Sequence, residues 1–136
     1  MAGPTTPIGI VTRFIALWEE PDGFPRAVEA YFTADTVWEN HGLLTTTGPE
    51  EALGFYRQFG EQTGMAGMKI DVLAIAQTTH ESEGRAKVLT ERIDWILDAG
   101  GQSVMKVPVM GIFEIAGGRI IAWRDYFDTR ANSPPG

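Results

Sequence analysis

Polar side chains sit inside three segments that otherwise read as apolar strands, and their types and spacing suit proton-transfer chemistry. In Val88-Leu89-Thr90-Glu91-Arg92-Ile93-Asp94-Trp95-Ile96-Leu97, the period-two rule puts Arg92 and Asp94 on one face with Val88, Thr90 and Ile96, and turns Glu91 away. In Ile120-Ile121-Ala122-Trp123-Arg124-Asp125-Tyr126-Phe127 the same rule groups Asp125 with Ile121, Trp123 and Phe127, one carboxylate among three apolar neighbours. In Val37-Trp38-Glu39-Asn40, parity joins Trp38 to Asn40. Each feature alone has a plain structural reading. An acid beside an arginine is commonly a surface ion pair contributing ~0–1 kcal/mol, a lone Trp123 is core, and an Asn at a strand end is a cap or turn former. Their coincidence points further. An unpaired buried carboxylate costs several kcal/mol, so Asp125 needs a partner such as Arg92.

One guanidinium between two aspartates carries one positive charge against two negative. In a dry pocket the excess is relieved if one acid keeps a proton, which leaves an acid and a base together near neutral pH. That pair can run a one-step displacement: the ionised carboxylate takes a proton from water while the protonated one donates to a leaving oxygen. An amide such as Asn40 can orient the water, because it both donates and accepts hydrogen bonds.

The elements that must position these residues follow from hydrophobic period. Apolar residues at helical spacing between Pro7 and Glu20 predict an amphipathic helix, broken by Pro21-Asp22-Gly23. A short helix over Pro25 to Phe32, a strand over Thr36 to Asn40 and a loop through Thr45-Thr46-Thr47-Gly48 follow. A third helix starts at Pro49-Glu50-Glu51, its acids favoured by the helix dipole, and runs until the glycines at 60, 64 and 67. From there the texture changes to strand-like runs over Lys69 to Thr79, Arg85 to Asp98, Ser103 to Ile115 and Arg119 to Asp128, with short joints at Glu81–Gly84, Ala99–Gln102 and Ala116–Gly118. Such joints predict an antiparallel meander. Helices first and a curved sheet behind give one α+β domain over residues 1–136 enclosing a deep pocket, with frayed ends at Met1–Thr6 and Arg130–Gly136. Parity leaves the strand around Pro108 and Gly111 open, because a bulge there would flip its register.

Composition narrows the chemistry. The 136 residues contain no Cys, and only His41 and His80 as histidines, so thiol nucleophiles, disulfides and thiolate or histidine metal sites are not expected. A net charge of -7 without a basic run argues against nucleic acid and anionic lipid. No signal peptide or membrane span is expected, and the default compartment is the cytoplasm. Both histidines read as loop or turn residues. Glu39 and Arg124 are expected to pair on the sheet's other face, where Leu89, Ile93, Trp95 and Leu97 form an apolar surface suited to a dimer or to covering helices.

Glu91-Arg92-Ile93-Asp94, Gly118-Arg119-Ile120 and Trp123-Arg124-Asp125-Tyr126-Phe127-Asp128 resemble the limonene-1,2-epoxide hydrolase family of the NTF2-like (SnoaL-like) α+β cone fold. The resemblance implies a cofactor-independent, commonly dimeric enzyme acting on a hydrophobic epoxide and water. It implies Asp125 as base, Asp94 as acid, Arg92 as the bridge and Asn40 as water-positioning amide. The family carries a tyrosine where this chain has Trp38, whose indole N–H donates but cannot accept. The pocket wall is expected to include Met110, Ile112, Phe113, Trp123 and aromatic residues of the front helices. Two other functions use the same fold: an isomerase or cyclase resembling ketosteroid isomerase and SnoaL, which needs one base and leaves the second carboxylate without a role, and a non-catalytic small-molecule binder. The first reading requires Arg92 within hydrogen-bonding reach of both Asp94 and Asp125, and fails if either acid points to solvent.

Overall fold

The computed structural model describes residues 4–78 and 85–132; His80 and the joint Glu81–Gly84 lie outside them. Helix α1 (Pro7–Leu17) is capped by Thr6, whose hydroxyl accepts from the Gly9 amide at 3.0 Å. This cap orders Thr6, the last residue of the stretch expected to be frayed, whose first residues 1–3 lie outside the described ones. Ile10, Val11, Phe14, Ile15 and Leu17 form the buried stripe of α1, and the helix stops three residues short of Glu20. Helix α2 (Gly23–Tyr31) buries Phe24, Ala27 and Val28. Helix α3 (Gly48–Thr63) has Glu50 and Glu51 in its first turn and ends on Gly64 at φ 74°, the left-handed conformation glycine adopts at little cost.

The strands are β1 (Phe32–Asn40), β2 (Leu44–Thr47), β3 (Gly67–Gln77), β4 (Ala86–Leu97), β5 (Ser103–Ala116) and β6 (Arg119–Tyr126). They form one sheet in the order β2-β1-β6-β5-β4-β3. The segment read as a loop before α3 is the strand β2, antiparallel to β1. Its run of β-branched threonines favours the extended backbone. Strands β3 to β6 make the expected meander, and β1 joins the far side of β6 in parallel. Gly117 and Gly118 take φ 58° and 77°, which a two-residue turn between β5 and β6 requires. After β6 a short 3-10 helix (Thr129–Asn132) replaces the first part of the expected frayed tail.

All three helices cover one face of the sheet, so every strand has an inner and an outer side. Two register details decide which residues face inward. No bulge occurs at Pro108 or Gly111: pairing of β4 with β5 is continuous from Ile96↔Met105 to Ala86↔Ile115. The shift falls instead between Glu114 and Ile115, which pair with Ala122 and Ile120. Ile121 is the extra residue there, so Ile120 is buried in place of Ile121, and Phe127 lies beyond the end of β6. No helix among the described residues is long and apolar enough to cross a membrane.

Candidate active site

Adjacent rows of inward residues cross the sheet and build the site. One row runs Asn40, Asp125, Gly111, Thr90 over β1, β6, β5 and β4. The row on one side runs Trp38, Trp123, Phe113, Val88. On the other side Arg92 and then Asp94 continue along β4. Arg92 is the centre of the arrangement. Its Nε and Nη2 donate to Asp94 Oδ1 and Oδ2 at 3.1 and 2.9 Å, while Nη1 and Nη2 donate to Asp125 Oδ1 and Oδ2 at 3.2 and 3.1 Å. Nη1 also donates to the Thr90 hydroxyl at 3.1 Å, and that hydroxyl donates to the Gly111 carbonyl at 3.2 Å. Every N–H of the guanidinium fork faces an acceptor on this network, and the two carboxylates are gripped in the bidentate manner that makes arginine pairs strong and directional.

Burial sets the electrostatics. The Arg92 side chain has no exposed surface, against 7% for Asp125 and 12% for Asp94. Burial by itself would lower the Arg92 pKa, but Asp125 and Asp94 outweigh it and the pKa rises, so the guanidinium stays charged. Burial is also the largest influence on Asp125, raising its pKa above 3.8; Arg92 pulls it back, and the net direction is up. The Trp123 indole N–H donates to Asp125 Oδ1 at 2.8 Å and stabilises the ionised form. A base with a raised pKa is a stronger base, provided it is ionised at the working pH.

Residues 5–131 match the limonene-1,2-epoxide hydrolase catalytic domain. The chain belongs to the limonene-1,2-epoxide hydrolase family. It is 34% identical over 101 residues to Epoxide hydrolase EphG of Mycobacterium tuberculosis, an alignment covering 74% of this chain but only 60% of that relative. Among solved structures, an M. tuberculosis epoxide hydrolase described as limonene-1,2-epoxide-hydrolase-like superposes with a TM-score of 0.66 at 28% identity, covering 91% of this chain and 84% of that one. A hypothetical protein with a ketosteroid isomerase-like fold from Catenulispora acidiphila superposes at 0.68 with 20% identity, covering 96% and 100% of the two chains. The latter likeness concerns the fold alone, the cone shared by NTF2-like proteins.

The structure thus gathers Arg92, Asp94, Asp125 and Asn40 on one face. Asn40 is buried beside Asp125 in the β1–β6 pairing, and its Nδ2 has no hydrogen-bond acceptor among the described residues. Trp38, at the family's tyrosine position, lies flat against Trp123 with ring centroids 4.5 Å apart and 8° between planes. Its Nε1 is likewise buried without an acceptor. Phe113, the neighbour of Trp123 on β5, stacks on it at 5.3 Å.

Two expectations are corrected. Met110 lies on the outer face, 52% exposed, and Ile112 turns outward with it, because the unbroken register gives the inward places of β5 to Val109, Gly111, Phe113 and Ile115. Aromatic rings line the inner face beside the network: Trp18 stacks on Trp123 at 5.2 Å and Phe24 on Tyr56 at 4.6 Å, while Trp18 also lies 5.3 Å from the Arg92 guanidinium. Open hollows of about 230 and 210 Å³ lie on the outer face, lined in part by Leu73, Leu89, Met110 and Tyr126. Finally, Glu39 and Arg124 do not pair with each other. Arg124 binds Glu114 at 2.6 Å across β5 and β6, and Glu39 holds the exposed His41 at 2.9 Å.

Sequence reasoning named Thr90 only as a neighbour of Arg92 and Gly111 only as a register hazard. A lone glycine inside a strand pattern was the available signal for a close approach at that point.

Proposed function

We propose that this family member adds water to a hydrophobic, cyclic or aryl epoxide and releases a vicinal diol in one step. The observation that carries the reading is the Arg92 fork holding both carboxylates in a buried network. Asp125, lodged beside Asn40, takes a proton from water as the water oxygen bonds to an epoxide carbon. The carbon–oxygen bond of the ring breaks, and Asp94, the more exposed acid, gives its proton to the departing oxygen. The proton left on Asp125 returns to Asp94 by exchange within the pair or with solvent, which restores the starting state. Arg92 keeps its charge throughout and balances whichever acid is ionised. Asn40 Nδ2 and Trp38 Nε1, without acceptors among the described residues, can donate to water or substrate oxygen, and the stacked aromatic wall suits an apolar ring.

The family membership and the named activity of the relatives support the reaction class. The reading extends to a cytoplasmic homodimer formed through the outer sheet face. There Leu73, Met110 and Tyr126 are 57%, 52% and 42% exposed, with the helices packed on the other side.

The direct test is D125N, which keeps the shape and removes the base. Diol formation from cyclohexene oxide and styrene oxide is expected to fall by about 10²–10⁴. Retention of the parent rate by a folded D125N protein would overturn the mechanism. Its acid limb gives a second check: kcat/KM of the parent is expected to fall with decreasing pH through a pKa above 3.8, because burial raises Asp125 and the base works only when ionised.

A further inference from the structure

We infer that Gly111 is a positioning residue: the absence of a side chain there is the opening through which Arg92 grips Asp125. Strands β4 and β6 are not neighbours, because β5 runs between them. Two strand spacings of about 4.8 Å separate the row positions of Thr90 and Asp125, so the guanidinium must cross β5 to reach the second acid. Register places Gly111 directly between Thr90 and Asp125. The flanking inward residues of β5, Val109 and Phe113, both carry buried side chains.

A Cβ built at Gly111 would stand 2.5 Å from Asp125 Oδ1, nearer still to Arg92 Nη1, and 3.1 Å from Thr90 Oγ1. Those three atoms are consecutive members of one hydrogen-bonded chain. Gly111 is absent from the glycines with positive φ, so its backbone is one any residue can adopt; space, not conformation, demands glycine. Glycine weakens a strand interior, and what it provides here is the Arg92–Asp125 contact. Added bulk at Gly111 must be relieved where the network can part. Arg92 is anchored by Asp94, so the Asp125 contact yields. Asp125 then keeps its burial and loses the cation that lowers its pKa.

This inference rests on the hydrolase reading only for its kinetic arm. The experiment is G111A, followed by the pH profile of epoxide opening and by the carboxyl-carbon NMR titration of Asp125, assigned with D125N. The acid limb of kcat is expected to move to higher pH by about one unit or more, with KM little changed. Below the limb this is a loss of about tenfold per unit, recovered as pH rises. The Asp125 resonance should titrate upward by the same amount. An unmoved titration overturns the inference, whatever the activity. If D125N retains full activity while G111A still shifts the titration, the hydrolase mechanism fails and the role of Gly111 stands. Should G111A not fold, R92K/G111A decides. Recovery of folded protein with the shorter, unforked cation supports the steric link to Arg92, and failure to recover it overturns that link.

Discussion

Replacing Arg92 by Met exposes the energetics of the site most sharply. The variant keeps an unbranched side chain of similar reach in a position with no exposed surface, but deletes four N–H···O contacts to Asp94 and Asp125 between 2.9 and 3.2 Å. At an effective dielectric near 20, each opposite pair at such range gives roughly 4 kcal/mol of gross attraction. Desolvation of the guanidinium cancels several kcal/mol of this, and the net cost of removing one partner from a buried pair is about 3–5 kcal/mol. Protonation of Asp125 limits the loss, and this gives the prediction its pH signature. Without Arg92 the folded-state pKa of Asp125, already above 3.8, rises further while the unfolded value stays put. The folded variant then binds more protons than the unfolded chain, so its stability falls as pH rises from the unfolded pKa to the folded one. The slope is about 1.4 kcal/mol per pH unit for that one carboxylate. The same window exists in the parent but is narrower, because Arg92 pulls the pKa back. Urea unfolding of both proteins from pH 4.5 to 8, with m checked for constancy, should show a small difference at the acid end that grows to about 3–5 kcal/mol at the alkaline end. A difference below about 1 kcal/mol at pH 7.5, or one that does not vary with pH, would refute the claim that Arg92 compensates buried carboxylates.

Asn40→Ala removes the buried amide beside Asp125. Since its Nδ2 binds no protein acceptor among the described residues, turnover should fall about 10²-fold through lost water placement, while the thermal midpoint changes little; equal loss of stability and rate would assign Asn40 to folding. On the outer face, Met110→Glu adds a charge opposite Glu91 on an apolar, half-exposed surface. Sedimentation should show dimer weakened by at least about 30-fold, equivalent to ~2 kcal/mol, and an unchanged dimer population would remove this face from the interface.

Much of the site was legible because parity within one strand is a local property. Arg92 and Asp94 are two residues apart, and so are Trp38 and Asn40, and each pair shares a face in any sheet that holds the strand. The helix-then-meander order followed from the switch of hydrophobic period near Met68. Local rules stop where strands meet. The extra residue Ile121 reversed the inward choice at that end of β6, and the unbroken register through Pro108 and Gly111 turned Met110 outward. Neither could be read from either strand alone.

Composition and parity therefore determined the chemical vocabulary: carboxylates, one arginine and an amide, with no thiol and scarcely any histidine. Tertiary structure decided that these groups form one network. Asp94 and Asp125 stand on strands separated by β5, and only long-range pairing puts Gly111 between them and Asn40 against Asp125 on the far side. Side-chain period is set by the backbone of each segment, whereas strand order is set by which surfaces bury best together, and that is a property of the whole chain.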